Sequence, residues 1–286
     1  MPSTQDIRRR IKSVKNIQQI TKAMKMVAAA RLRKAQEKAA ASRPYTDKIR
    51  EVLESVTANA HDISHPLLES RDVKKVCYLL INADKGLAGA YTSNLVREVV
   101  PRLKSHDHVQ LITVGRKMRD YFRRRHYSID QEFIGFSEKP SYQNAVELSR
   151  AVADGFVKGE YDEIYMAYTQ FLSPLTQKPT VIKLLPMTQP EAKVEADGKS
   201  TGEYIFEPDA AAVLAELLPK YLESTIYGAL LQSAASELGA RMTAMGSATD
   251  NAQELIAKLV LKYNQIRQAN ITREISEIVG GAEAIK

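Results

Sequence analysis

The sequence predicts an α/β chain: a long antiparallel two-helix coiled coil formed by the N- and C-terminal helices, with a small Rossmann-like α/β domain between them. Three observations lead there. Apolar or small residues recur every seven positions near the N-terminus, at Ile7, Val14, Thr21, Ala28, Ala35, Ser42, Ile49 and Val56. A second run near the C-terminus alternates spacings of three and four over about seven heptads. Between these runs, short apolar stretches alternate with helical patterns.

The first helix is expected from Ser3 to Ala60, a stretch without glycine in which Pro44 is the only proline. Good helix formers dominate it. Ser3 or Thr4 can cap its start, and Asp6 suits the positive end of the helix dipole. A second column, Ile17, Met24, Tyr45 and Val52, is expected to complete the seam. The seam is small-sided at Thr21, Ala28, Ala35 and Ser42, so a partner helix can approach closely. Pro44 predicts a kink or a local irregularity. At ~1.5 Å per residue the helix spans roughly 80 Å.

In the middle region Val76–Ile81, Val109–Val114, Glu163–Tyr168 and Val181–Leu185 read as strands. Thr92–Lys104, Arg116–Arg125 and Asn144–Lys158 read as helices. Such alternation predicts a parallel-type sheet. Glu191–Gly202 reads as a polar loop.

The last helix is announced by Pro208 and Asp209. Its seam runs through Leu214, Leu217, Tyr221, Ser224, Gly228, Leu231, Ala235, Leu238, Met242, Met245, Thr249, Ala252, Ile256, Leu259, Tyr263 and Ile266. A strict seven-residue repeat implies a left-handed supercoil, and Pro219 predicts a kink. To Gly280 this helix is about 105 Å long, far beyond the three to four turns usual in a globular core. The domains expected are a coiled-coil helix over 1–60, an α/β domain over 73–208 and a coiled-coil helix over 209–286. Two seams leaving one domain bury each other only as an antiparallel pair. The longer C-terminal helix then projects its tip, Thr272–Lys286, roughly 25 Å past its partner. That tip needs a socket in another protein or it frays.

Charge narrows the partners. Residues 1–50 carry fourteen Lys or Arg against Asp6, Glu37 and Asp47, an excess larger than the +7 of the whole chain. The first helix therefore faces something acidic, or its charges simply solvate it. No apolar run approaches the ~18 residues that span a bilayer. Met1–Arg10 lacks the apolar core of a signal peptide. Cys77 is the only cysteine, so an internal disulfide and a four-cysteine metal site are excluded and a reducing compartment is expected.

Chemical motifs are weak. Asp197-Gly198-Lys199-Ser200-Thr201 resembles the end of a phosphate loop, but Lys193 stands where its first glycine belongs, so a solvated turn is expected. Asp84-Lys85-Gly86-Leu87-Ala88-Gly89 has two glycines at the wrong spacing for a dinucleotide loop and reads as a tight turn. His61, His65, His106, His108 and His126 are scattered and read as solvated rather than as ligands. No nucleophile motif is present. No catalytic, cofactor or metal residues are expected. A basic coiled coil that binds nucleic acid or serves as a scaffold is the alternative reading, but the cations are spread around the helix and stacking aromatics are missing. An α/β enzyme with helical arms would need a ligand at the Asp84–Gly89 loop.

Two terminal segments go beyond a generic coiled coil. Ile7-Arg8-Arg9-Arg10-Ile11-Lys12-Ser13-Val14-Lys15-Asn16-Ile17, continuing through Ile20-Thr21-Lys22-Ala23-Met24-Lys25-Met26-Val27-Ala28-Ala29, resembles the start of ATP synthase gamma subunits. Ile271-Thr272-Arg273-Glu274-Ile275-Ser276-Glu277-Ile278-Val279-Gly280-Gly281-Ala282-Glu283-Ala284 resembles their C-terminal signature. Ser42-Arg43-Pro44-Tyr45, Ala248-Thr249-Asp250-Asn251-Ala252, Tyr263-Asn264-Gln265-Ile266-Arg267-Gln268-Ala269 and Tyr204-Ile205-Phe206-Glu207-Pro208 fit as well. The resemblance implies a non-catalytic rotor shaft, one copy per complex, inside a ring of three alpha and three beta subunits. Its foot would rest on epsilon and the membrane rotor (c) ring at the cytoplasmic face of the cell membrane. It carries no cofactor and binds no nucleic acid. It further implies that Arg267 and Gln268 bond a loop of an empty beta subunit, and that Lys22, Met24 and Lys25 face the acidic lever loop of beta. Thr272, Glu274 and Glu277 match positions tied to efficient rotation, and Tyr204 and Glu207 match the foot. Chloroplast members carry a regulatory cysteine pair; the lone Cys77 favours a bacterial type.

Overall fold

The computed structural model describes residues 3–59, 65–187 and 209–283. The elements are α1 (Thr4–Asn59), a 3-10 turn (Pro66–Leu68), β1 (Val76–Ile81), α2 (Tyr91–Leu103), β2 (Val109–Val114), α3 (Arg116–Arg123), β3 (Ile129–Phe133), α4 (Tyr142–Val157), β4 (Glu163–Phe171), β5 (Gln177–Leu185) and α5 (Ala210–Glu283). Glu191–Gly202, with the Asp197–Thr201 motif, lies outside the described residues, as do Pro208 and His61. The chain divides into two compact units, Met1–Ala28 with Met242–Lys286, and Ala29–Arg241. Both long helices contribute to each.

In the larger unit, five strands form one sheet in the order β3-β2-β1-β4-β5. β1 is central and apolar throughout because both its faces are covered. Cys77, Leu79 and Ile81 point to a core shared with α4, with Ile49, Leu53 and Val56 of α1, and with Leu214–Leu230 of α5. Val76, Tyr78 and Leu80 point the other way, to α2 and α3. This alternation is the period-two geometry of a strand.

Of the four strands expected, β1, β2 and β4 are parallel, joined by β3, but β5 runs antiparallel to β4. A short hairpin leaves no room for the crossover that a parallel neighbour needs. β3, which the sequence reading passed over, is a mostly exposed edge strand whose middle reads Asp130-Gln131-Glu132. Charged edges blunt strand addition, and they also erase the apolar alternation by which strands are found. His65 is not simply solvated: its Nδ1 accepts a hydrogen bond from the Leu67 amide, 3.1 Å, and caps the 3-10 turn. Desolvation there lowers its pKa.

The helices pair antiparallel within each unit. In the larger one the hydroxyls of Thr46 and Ser224 meet at 2.6 Å. In the smaller one Thr21 meets Thr249 at 2.8 Å, and Arg8 donates to the Tyr263 hydroxyl at 2.6 Å. The numbering falls on α1 as it rises on α5. The first column of the α1 seam is found buried or half-buried. Its expected companion column is divided: Met24 and Val52 are half-buried, while Ile17 is 50% exposed and Tyr45 54%. The seam also uses the other flank, with Leu32 and Leu53 buried, Thr46 half-buried, and the Lys25 stem laid over Gly246. Positions three and four residues on lie on opposite sides of the same column, and the seam draws on both. Neither Pro44 nor Pro219 ends its helix.

Local chemistry sets the helix starts. Ser3 caps α1, with Asp6 N donating to its Oγ at 3.2 Å and the Asp6 carboxylate accepting from Ser3 Oγ at 2.8 Å. These bonds hold the Asp6 carboxyl below its ordinary pKa. Ser141 and Asn144 form the equivalent box on α4. After β2, Gly115 has φ +98° and would place a Cβ 2.4 Å from the Asn82 carbonyl.

Two outcomes follow. Ser3→Ala should return the Asp6 pKa towards 3.8, read by NMR titration. In the parent chain the capping contribution is present above that value and is lost as pH falls through the depressed one. Gly115→Ala should lower unfolding stability by at least about 2 kcal/mol in urea titration.

Candidate functional site

The densest polar structure in the chain lies where α5 is seated in the larger unit. Almost every residue from Ala229 to Arg241 is buried, including Ser233, Ser236, Glu237 and Arg241. A helix buried on all sides has no water for its polar side chains, so each requires a protein partner. β4 supplies several. Its pairing with β1 stops at Leu80 opposite Ala167, yet β4 continues to Phe171 and presents an unpaired edge. Side chains of α5 complete that edge. Thr169 N donates to Ser233 Oγ at 3.3 Å, Ser236 Oγ donates to Thr169 O at 2.9 Å, and Phe171 N donates to Gln232 Oε1 at 3.0 Å. Gly239 lets the β4–β5 hairpin close down, since a Cβ there would lie 3.1 Å from Phe171 and 3.3 Å from Pro174.

The seat ends in an ion cluster. Arg241 donates from Nη2 to Glu237 at 2.6 Å, from Nη1 to Glu138 at 3.1 Å, and from Nε and Nη2 to the Gly86 carbonyl at 3.3 and 3.2 Å. Glu138 also receives Arg31 of α1 and Lys85 at 3.3 Å. Burial pushes the Glu237 carboxyl up, and the Arg241 guanidinium pulls it back. Lower on the helix, Tyr142 of α4 donates to Glu223 at 2.6 Å.

The same geometry decides the Asp84–Gly89 loop. Open α/β sheets bind ligands beyond the carboxyl ends of their strands, where the strand order reverses. Here that place lies between β1 and β4, and α5 fills it. Ala83, Ala88 and Tyr91 pack with Ala240, and the Tyr91 hydroxyl donates to the Ser233 carbonyl at 3.2 Å. Asp84 accepts from the amides of Arg116, Gly135 and Ser137 at 3.2, 2.9 and 3.1 Å, tying three strand ends together. The loop is a turn committed to holding α5. Among the described residues no group of three or more His, Cys, Asp or Glu is placed to hold a metal.

The residues singled out from sequence lie elsewhere, all in the smaller unit where described. Lys22 and Lys25 are exposed on α1 and Met24 is half-buried. Arg267, Gln268, Thr272, Glu274 and Glu277 are exposed on α5, with Glu277 paired to Arg273 at 3.4 Å. Arg267 lies over the Tyr263 ring at 6.0 Å, and Arg8 over the same ring at 5.5 Å. The two groups are not brought together: Lys25 covers Gly246, about 30 Å along α5 from Arg267. Tyr204 and Glu207 lie outside the described residues. The Arg241 cluster was missed, although a Glu within the otherwise uncharged run Ala229–Ala240 and an Arg four residues on, at its end, are its visible signal.

A family model described as ATP synthase matches residues 3–285. The ATP synthase gamma chains of Pelotomaculum thermopropionicum and Heliobacterium modesticaldum are each 52% identical over the full length of both chains. The sodium ion specific gamma chain of Acetobacterium woodii is 44% identical over 99% of each. Among solved structures, a chain of the Euglena gracilis mitochondrial ATP synthase (OSCP, F1 and c-ring) has a TM-score of 0.70 at 18% identity, covering 99% of this chain and 94% of that one. A chain of the Tetrahymena thermophila central stalk and c-ring has a TM-score of 0.61 at 24% identity, covering 80% of this chain and 99% of that one. These two likenesses establish the fold.

The ion cluster makes a direct prediction. Arg241→Met leaves Glu237 buried and unpaired and should cost about 3–5 kcal/mol in chemical denaturation. The loss should deepen as pH rises above the ordinary glutamate range, because the folded chain then holds a proton that the unfolded chain releases. Adding Glu237→Met should recover most of the stability.

Proposed function

The chain belongs to the ATP synthase gamma-chain family, and on that premise we propose that it turns as a single shaft inside a head of three alpha and three beta subunits. It is a non-catalytic and peripheral part of the membrane complex; no helix among the described residues is long and apolar enough to cross a membrane. Its larger unit rests on epsilon and the c-ring at the cytoplasmic face, with Tyr204 and Glu207 at that contact. Ion flow turns the ring, and the shaft drives each beta subunit in turn through its binding states.

The observation that carries this reading is the free end of the shaft. Every residue from Arg267 to Ala282 is exposed, including Ile271, Ile275, Ile278 and Val279. On α1, Ile17, Ile20, Met26 and Val27 are exposed as well. Large apolar side chains left open along a helix pair suit contact with a partner, and a socket in the head supplies one. Within it, Arg267 and Gln268 bond a loop of an empty beta subunit, Lys22, Met24 and Lys25 meet the acidic lever loop, and Thr272, Glu274 and Glu277 tune rotation. Exposed ion pairs are worth little each, so such contacts can form and release on every step. Contacts that differ from one beta state to the next are what bias their equilibrium. Family membership lends nothing to the nucleic-acid reading.

Reconstitution with alpha and beta subunits of the same organism, followed by native mass spectrometry and ATPase assay, tests the proposal. One copy per three alpha and three beta, with altered ATPase activity, is expected; a chain that stays free while the others assemble would overturn it. Arg267→Ala with Gln268→Ala should weaken the coupling of hydrolysis to ion pumping and leave the melting of the free chain unchanged.

A further inference from the structure

Resting on the rotor reading, we infer that Arg241 is a positioning residue that locks α5 in one rotational register on the sheet, so that turning of the α/β unit reaches the shaft as rotation rather than slip. The need for a lock follows from the seat. Much of it is small: Ala229, Ser233, Ala234, Ala235, Ser236 and Gly239 are buried there, beside Leu230, Leu231 and Leu238. Apolar packing is non-directional, and small side chains give shallow ridges, so packing alone resists twisting about the helix axis poorly. Hydrogen bonds are directional, and a buried charge cannot leave its partners cheaply.

Arg241 is placed to use both properties. Its acceptors come from three parts of the chain: Gly86 after β1, Glu138 after β3, and Glu237 one turn back on α5. Through Glu138 the cluster also reaches Arg31 of α1. One residue of helical rotation, about 100°, would carry the guanidinium away from Gly86 and Glu138 together. Arg241 is also the last residue of the larger unit, and α5 continues past it unbroken. Ser233 and Ser236, both bonded to Thr169 of β4, repeat the same kind of tie two turns earlier.

A merely structural cluster and a positioning cluster differ in one test. The Arg241→Met/Glu237→Met pair removes both charges, keeps the packing volume and leaves Glu138 with Arg31 and Lys85. Single-molecule rotation of the complete complex, with a probe carried on the α/β unit and the head fixed, reads stall torque against load. We expect the pair to assemble and to rotate unloaded like the parent, with a loss of stall torque and of ATP-driven ion pumping, partly restored in Arg241→Lys. Parent-level torque and pumping in an assembled pair variant would overturn the inference. If the pair does not assemble, Ser233→Ala/Ser236→Ala is measured in the same way; a loss of torque supports the lock, and parent-level torque overturns it. Failure of the parent complex to rotate at all would instead sink the rotor reading.

Discussion

The enclosure of α5 between Ala229 and Arg241 is the constraint from which most of the larger unit follows. A helix without solvent on any side must satisfy its polar side chains inside the protein. The overhang of β4 beyond β1, the closed hairpin over Gly239 and the commitment of the Asp84–Gly89 loop to Gly86–Arg241 contact all serve that end. The crevice in which other open sheets hold ligands is thereby taken by the chain's own helix. An α/β sheet has become a mount, and fold alone would have suggested the opposite.

The smaller unit is built on different terms. Its seam is thin and partly polar: Thr21 bonds Thr249, Arg8 bonds Tyr263, and a lysine stem covers Gly246. Such contacts fix register more than they add burial, since each hydrogen bond contributes only about 0.5–1.5 kcal/mol net. The apolar residues that a self-sufficient coiled coil would bury are instead left outside, as Ile17, Ile20 and Val27 on α1 and Ile271, Ile275 and Ile278 on α5. The pair keeps its alignment and leaves these apolar residues open.

This division explains what could be read in the sequence. β1 and β2 were legible to the residue, because strands buried on both faces are apolar runs. The seven-residue column of α1 and the heptads of α5 were legible from spacing. The companion column was legible at Met24 and Val52, which are half-buried, but not at Ile17 and Tyr45, because α1 has apolar residues both on the face that meets α5 and on an open face. Sequence does not say which is which. β3 escaped because its edge position calls for charge. The Arg241 cluster escaped because its partners, Gly86 and Glu138, are distant in sequence; only Glu237, four residues back, hinted at it.

Amide hydrogen exchange on the free chain and on the assembled complex tests this account most directly. It predicts that 229–241 exchanges among the slowest segments in both, while 267–283 exchanges rapidly in the free chain and gains protection only on assembly. Rapid exchange at 229–241, or a tip that stays unprotected in the complex, would contradict it.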